Sequence, residues 1–168
     1  GSNFIRLILS RLNNINIINF DKLTYAGNLE NLKDIETDKR YHFVKGDIAD
    51  YATVEKTLDK YSIDVIINFA AETHVDRSIM GAVDFIKTDV EGAYILLEAG
   101  RKRGLEKFIQ ISTNEVYGSV ETGYSRETDQ LLPRNPYSAS KAGGDRIAYS
   151  FFATYGMPVI ITRASNNY

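Results

Sequence analysis

The sequence predicts an α/β fold, a doubly wound parallel sheet, on three observations. Short apolar runs of strand length alternate with segments of helical periodicity, the pattern of βαβ units. The strand runs are almost wholly apolar, as strands covered on both faces should be. Polar clusters recur at the carboxyl ends of those runs, where open α/β sheets bind their ligands.

Residues 1–13 read as an amphipathic helix, with Phe4, Ile5, Ile8, Leu9 and Leu12 at helical spacing. A strand over 15–20 ends at Asp21, and a polar stretch from Lys22 to Asn28 follows before a short helix over 29–35. The next strand, 41–44, runs into Gly46-Asp47-Ile48, and 51–61 is helical. A third strand over 64–69 enters Ala70-Ala71-Glu72-Thr73-His74-Val75-Asp76-Arg77-Ser78, ahead of a long helix over 80–103. A fourth strand, 107–112, enters Thr113-Asn114-Glu115-Val116-Tyr117-Gly118; a polar loop then reaches Pro136, a helix spans 137–155, and a last strand covers 158–163.

With 168 residues, 25% charged and 43% apolar, the chain has the make-up of one soluble globular domain with a sizeable core. Its formal net charge of -2 argues against nucleic acid or an anionic membrane as the main partner. Cysteine is absent, which excludes disulfide and thiolate chemistry and accords with a cytoplasmic location. No apolar run approaches the ~20 residues that span a bilayer. His42 and His74 lie far apart in sequence, so no metal site is expected.

The stretch Asn135-Pro136-Tyr137-Ser138-Ala139-Ser140-Lys141 carries the most chemistry. Pro136 suits a first helical turn, where its missing N–H is not needed. Tyr137 and Lys141 then share one helix face. An ammonium near a phenol stabilises the phenolate and lowers the tyrosine pKa, so the pair can take a proton from a sugar hydroxyl. The same spacing also describes a surface Tyr and Lys on an amphipathic helix. Asp21 lies twenty residues after Gly1, the offset at which a dinucleotide fold places the acid that binds the ribose hydroxyls. That acid repels a 2′-phosphate and favours NAD over NADP; Asp21 can equally begin a loop. Asp47, at the next strand end, is either near an adenine or a solvated turn residue.

Four motifs in this order resemble the extended short-chain dehydrogenase/reductase family, and within it the nucleoside-diphosphate-glucose 4,6-dehydratases. They are Asp21-Lys22-Leu23-Thr24-Tyr25-Ala26-Gly27-Asn28, Ala70 through Ser78, Ser112 through Gly118, and Pro136 through Lys141, with Arg163-Ala164-Ser165-Asn166-Asn167-Tyr168 at the end. The resemblance covers essentially the whole chain. It implies a Rossmann-like NAD-binding domain over 1–168, a nucleotide-sugar substrate with dTDP-glucose as the default, and a homodimer formed through two long helices. It further implies NAD contacts at Asp21, Lys22, Thr24, Asp47, Ile48, Ala70, Ala71, Tyr137 and Lys141, and substrate contacts at His74, Ser78, Thr113, Glu115 and Asn166. The implied catalytic residues are Thr113, Asn114, Glu115, Tyr137 and Lys141. Tyr137, supported by Lys141 and Thr113, removes the 4-hydroxyl proton as hydride passes from C4 to NAD; Glu115 then removes the C5 proton, water leaves C6, and the hydride returns there. Other readings remain for single residues: close packing for Ala70 and Ala71, a helix N-cap for Ser78, and a structural histidine for His74.

Two positions depart from the family's pattern. Asn114 stands where the family has Asp, the acid that protonates the departing hydroxyl; an amide can only hydrogen-bond the leaving oxygen. Asp89 stands where Asn is expected in Thr-Asn-Val. The resemblance also places a first strand and most of a glycine turn before Gly1, and a sugar-nucleotide domain after Tyr168. Residues 1–168 taken alone are therefore expected to bind NAD poorly and not to turn over. Two further functions fit the same residues: a UDP-sugar 4-epimerase or decarboxylase of the same superfamily, and a non-catalytic nucleotide-binding protein.

Overall fold

Five parallel strands form two ladders in the computed structural model, which describes residues 1–165. The ladders belong to two units, Gly1–Asp47 and Ile48–Tyr168. The fold class expected from sequence is the one observed, with the parallel strands divided between these ladders.

In the first unit, helix α1 (Ser2–Arg11) and strand β1 (Ile17–Asp21) precede a 3-10 segment (Leu29–Ile35) and strand β2 (Tyr41–Lys45). β1 and β2 pair in parallel, from Ile17 opposite Tyr41 to Asp21 opposite Lys45. The apolar face of α1 supplies Ile5 and Leu9 to a core completed by Leu32 and Tyr41, as the helical spacing predicts. The Arg6 guanidinium meets the Asp34 carboxylate at 2.9 Å, tying α1 to the 3-10 segment. Asn28 opens that segment, its side chain accepting the Glu30 N–H at 2.9 Å.

The second unit starts with α2 (Tyr51–Tyr61), capped by Asp50, and contains β3 (Val65–Asn68), α3 (Val75–Met80) and α4 (Val83–Phe85). A π-helical segment (Ile86–Gly92) leads without interruption into α5 (Ala93–Arg103). β4 (Lys107–Thr113), a 3-10 turn (Asn114–Tyr117), α6 (Pro136–Tyr155) and β5 (Val159–Ala164) complete it. The ladder order is β3-β4-β5. Only β4, with a neighbour on each side, alternates into deep burial at Phe108, Gln110 and Ser112. The expectation of strands covered on both faces is not met: Ile109 and Ile111 on the other face of β4 are half-buried, Val65 and Ile160 are exposed, and Ile17 to Phe20 of β1 are half-buried.

The helix expected over 80–103 is a second departure. α3 forms first and stops at Gly81, whose extended backbone (φ -170°, ψ 111°) separates it from α4. Within 83–103 the hydrogen bonding is π-helical from Ile86 to Gly92, a bulge of a kind often found at functional sites. Apolar periodicity cannot distinguish these variants, because all of them present the same buried stripe.

α6 lies against the π-helical segment along a seam of small residues. A Cβ at Gly144 would stand 2.3 Å from the Asp89 carbonyl oxygen, and one at Gly143 would stand 2.9 Å from a Val90 methyl. The next residue, Asp145, is 0% exposed and accepts from Arg163 Nε of β5 at 2.7 Å and from Arg146 Nη2 at 2.5 Å. Burial raises the Asp145 pKa, but the two guanidinium groups outweigh it and hold the carboxyl below its ordinary value. Arg163 also donates to the Tyr117 hydroxyl at 2.6 Å, joining β5 to the 3-10 turn. Gly144→Ala is expected to cost about 1–3 kcal/mol through overpacking against backbone. Chemical denaturation checks this, and an unchanged midpoint would mean that the seam has slack.

Candidate active site

In the first unit, the end of β1 and the end of β2 bring Asp21, Lys22 and Asp47 together. The Asp21 carboxylate accepts the Leu23 N–H at 2.7 Å, and the Asp21 carbonyl accepts the Gly46 N–H at 3.1 Å. Lys22 Nζ meets Asp47 Oδ2 at 2.7 Å. Asp21 therefore does begin a loop, and the loop is held under strain. Leu23 has a φ of 56°, unusual for a bulky residue, and a Cβ on Gly27 would come within 2.6 Å of the Leu23 Cα. Thr24 is exposed in this loop and its carbonyl accepts the Gly27 N–H at 2.9 Å.

In the second unit Ile48 is buried, and its Cδ1 lies 2.5 Å from where a Gly92 Cβ would be, which makes it a packing residue at the start of the unit. Asn68, the last residue of β3, donates to Gln110 Oε1 at 3.0 Å and accepts the Ala70 N–H at 3.2 Å. This buried amide fixes the backbone at Ala70, and residue type alone did not reveal it. Its signal was a polar residue ending an otherwise apolar strand. His74 follows as the N-cap position of α3, exposed and with a φ of 72°. Ser78 is 1% exposed inside α3, where its hydroxyl donates to the Val75 carbonyl at 2.6 Å. It is not the helix cap, and its backbone N–H donates to the His74 carbonyl at 3.3 Å.

At the end of β4, Thr113 caps the 3-10 turn, its Oγ1 accepting the Glu115 N–H at 3.2 Å and lying 3.4 Å from Asn114 Oδ1. Asn114 and Glu115 are exposed. Facing them, α6 starts with a reciprocal cap: Asn135 accepts the Ser138 N–H at 2.7 Å and Ser138 Oγ contacts the Asn135 N–H at 3.3 Å. Pro136 occupies the first turn, as expected. The cap aims Tyr137 at Thr113, with its ring edge-on to Phe85 at 6.4 Å between centroids. Lys141, one turn later, is buried and donates to the Ile111 carbonyl of β4 at 2.8 Å.

The pKa expectation for Tyr137 is overturned. Burial raises the phenol above its ordinary value, the Glu115 carboxylate raises it further, a hydrogen bond with the Thr113 side chain opposes them, and Asp89 adds to the rise. Lys141 does not hold the phenolate; burial lowers its own pKa, while Asp89 and Asp145 work to raise it. The structure thus unites Thr113, Asn114, Glu115, Tyr137 and Lys141. Asn166 lies outside the described residues. One further detail bears on whether a ligand belongs here: Ser112 Oγ, one residue before Thr113, is buried with no hydrogen-bond partner among the described residues. A buried hydroxyl left so at a strand end fits the arrival of a polar ligand group.

A family model described as GDP-mannose 4,6 dehydratase matches residues 1–168. A dTDP-glucose 4,6-dehydratase of Xanthomonas campestris pv. campestris (strain B100) is 47% identical, over 100% of this chain and 50% of its own length. The crystal structure of DesIV, a dTDP-glucose 4,6-dehydratase from Streptomyces venezuelae with NAD and TYD bound, superposes with a TM-score of 0.95 at 44% identity, covering 100% of this chain and 53% of that one. The UDP-glucose 4-epimerase of Thermus thermophilus, complexed with NAD, gives a TM-score of 0.86 at 28% identity, covering 97% of this chain and 50% of that one. The chain spans about half the length of the curated relatives it matches.

Because Thr113 opposes the rise in the Tyr137 pKa, Thr113→Val is expected to move the phenol higher still. A ring-carbon NMR titration checks this. Wild-type Tyr137 should titrate above 10.0 and the variant later again, and equal midpoints would remove the Thr113 bond from the account.

Proposed function

The chain belongs to the GDP-mannose 4,6-dehydratase family, and from that membership we propose that the full-length protein is an NAD-dependent lyase, a dTDP-glucose 4,6-dehydratase. Its product is dTDP-4-keto-6-deoxy-glucose. The observation that carries this reading is that two groups able to act as bases, Glu115 in the 3-10 turn after β4 and Tyr137 in the first turn of α6, stand close together at the end of β4. A 4,6-dehydration needs one base for the C4 hydroxyl and another for the C5 proton. The match at 47% to a dTDP-glucose 4,6-dehydratase supports the same reading.

Tyr137 takes the C4 hydroxyl proton, with Thr113 hydrogen-bonded to it. Lys141 fixes the first turns of α6 from its bond to the Ile111 carbonyl. Glu115 removes the C5 proton once C4 is a ketone, and Asn114 hydrogen-bonds the C6 oxygen as it departs as water. NAD, when bound, accepts hydride from C4 and returns it at C6, so the net change is the loss of one water. In the first unit Asp21, Lys22, Thr24 and Asp47 are the proposed NAD contacts; in the second they are Ile48, Ala70, Ala71, Tyr137 and Lys141. The chain is, on this view, part of an NAD-binding domain. His74, Thr113, Glu115 and Asn166 are assigned to the nucleotide sugar, with Ser78 holding α3 in place behind His74.

We assign the protein to the cytoplasm and to a homodimer. No helix among the described residues is long and apolar enough to cross a membrane. Tyr94 of α5 and Tyr149, Phe152 and Tyr155 of α6 are each about half-exposed, an aromatic surface suited to a second copy. Phe152→Glu is expected to leave a monomer by size-exclusion chromatography if that surface is the dimer face.

Incubating the full-length protein with dTDP-glucose is expected to give a nucleotide sugar lighter by one water in the mass spectrum. Asn114→Asp should raise the rate of water loss by roughly 10-fold or more, since general acid help contributes ~10²–10⁴-fold, and Glu115→Gln should abolish it. A sugar unchanged in mass with inverted C4 configuration would instead establish an epimerase, and bound NAD with no change in the sugar would establish a binding protein.

A further inference from the structure

The seam between α6 and the π-helical segment contains a carboxyl that the mechanism above does not use. Asp89 is 2% exposed. Its Oδ2 lies 2.7 Å from Ser140 Oγ, which itself lies 2.8 Å from the Tyr137 carbonyl oxygen. Three oxygens in a row at these distances need two hydrogens, and a serine hydroxyl carries one. Both contacts are satisfied when Asp89 is protonated: its O–H donates to Ser140, and Ser140 donates to Tyr137. When Asp89 ionises and its proton leaves to solvent, the Ser140 hydrogen turns to the carboxylate and the Tyr137 carbonyl loses that donor. The remaining oxygen, Oδ1, is buried with no hydrogen-bond partner among the described residues.

We propose that Asp89 is a positioning residue of the Tyr137–Lys141 pair, sharing its proton with the Ser140 hydroxyl and setting the charge on the Lys141 ammonium. The proposal concerns this chain's own departure from the family's pattern, since an asparagine here keeps the shape without the titratable proton. Its catalytic consequence rests on the dehydratase reading; its electrostatic content does not.

The charged groups around Asp89 come from two elements besides its own. From α6, the Lys141 ammonium favours the carboxylate, and Lys141 in turn feels both Asp89 and Asp145. From the segment after β3, the Glu72 backbone N–H favours the carboxylate and the Glu72 side-chain charge opposes it. Tyr137 feels Asp89 together with Glu115. Burial is the largest influence and pushes Asp89 up from 3.8 to about 6. A carboxyl raised on folding favours the folded state most below its unfolded pKa of 3.8, and that advantage is lost as pH rises through about 6.

Site-resolved NMR on the full-length protein without substrate tests the proposal: side-chain carboxyl carbon for Asp89, side-chain nitrogen for Lys141. Asp89 is expected to titrate near 6. Asp89→Asn should lower the Lys141 midpoint by about one pH unit through loss of an anionic neighbour. It should also remove the loss of stability between pH 4 and pH 6 that the wild type shows relative to the variant. Ser140→Ala, which keeps the charge and removes the hydrogen bond, should raise the Asp89 midpoint and leave Lys141 titrating closer to wild type than Asp89→Asn does. An Asp89 that titrates in the ordinary carboxylate range, or a Lys141 midpoint unmoved in Asp89→Asn, overturns the proposal. In the catalytic arm, Asp89→Asn should shift the acid limb of the kcat/KM profile for dTDP-glucose to lower pH, because Tyr137 also loses an anionic neighbour. If the wild type does not dehydrate dTDP-glucose, the function assignment fails, and the two titrations still decide the role of Asp89.

Discussion

The Lys141 ammonium, buried beside β4 and bonded to the Ile111 carbonyl at 2.8 Å, is the constraint on which the second unit depends. A buried charge that loses its partner costs several kcal/mol, roughly 3–5 in measured cases, so α6 cannot slide along β4 without a large penalty. Ile111 is two residues from Thr113, and Lys141 is one helical turn from Tyr137. A single hydrogen bond therefore places the phenol at the end of β4, where Thr113 and Glu115 stand.

The same helix face continues the constraint. Gly144 and Asp145 follow Lys141 by three and four residues, the spacing that stacks side chains on one face. Gly144 lets the backbone of α6 approach the Asp89 carbonyl, and Asp145 receives Arg163 from β5. Arg163 reaches on to the Tyr117 hydroxyl and the Glu127 carbonyl. Strand ends, 3-10 turn and polar loop are thus all referred to one helix. The π-helical turns at 86–92 are part of this arrangement, because Asp89 faces α6 from within them.

Much of this was legible in the residues. Alternating apolar runs located every strand to within two residues, and the Pro136 rule located the start of α6. The polar clusters at strand ends marked where the site lies, the spacing of Tyr137 and Lys141 placed them on one face of α6, and the family resemblance singled out Thr113, Asn114 and Glu115. What escaped was of three kinds. Asn68, Asn135 and Asp145 act through hydrogen bonds to elements far along the chain or to backbone, and their type alone does not reveal the partner. The break at Gly81 and the π-helical bonding leave the apolar stripe unchanged, so periodicity carries no trace of them. The Tyr137 pKa belongs to a third case: spacing places Lys141 correctly on the face of Tyr137, but which acceptor takes the ammonium depends on where β4 ends.

That choice of acceptor sets a condition on the first proton transfer. With Lys141 engaged at Ile111, the phenol of Tyr137 is held up by burial, by Glu115 and by Asp89, and the Thr113 hydrogen bond works the other way. A phenol that keeps its proton cannot take one from the C4 hydroxyl. In the dehydratase reading, therefore, Tyr137 must first lose its proton, and a positive charge brought close by a bound ligand would favour that loss. Lys141, committed to the Ile111 carbonyl, holds α6 in place for that step rather than supplying the charge.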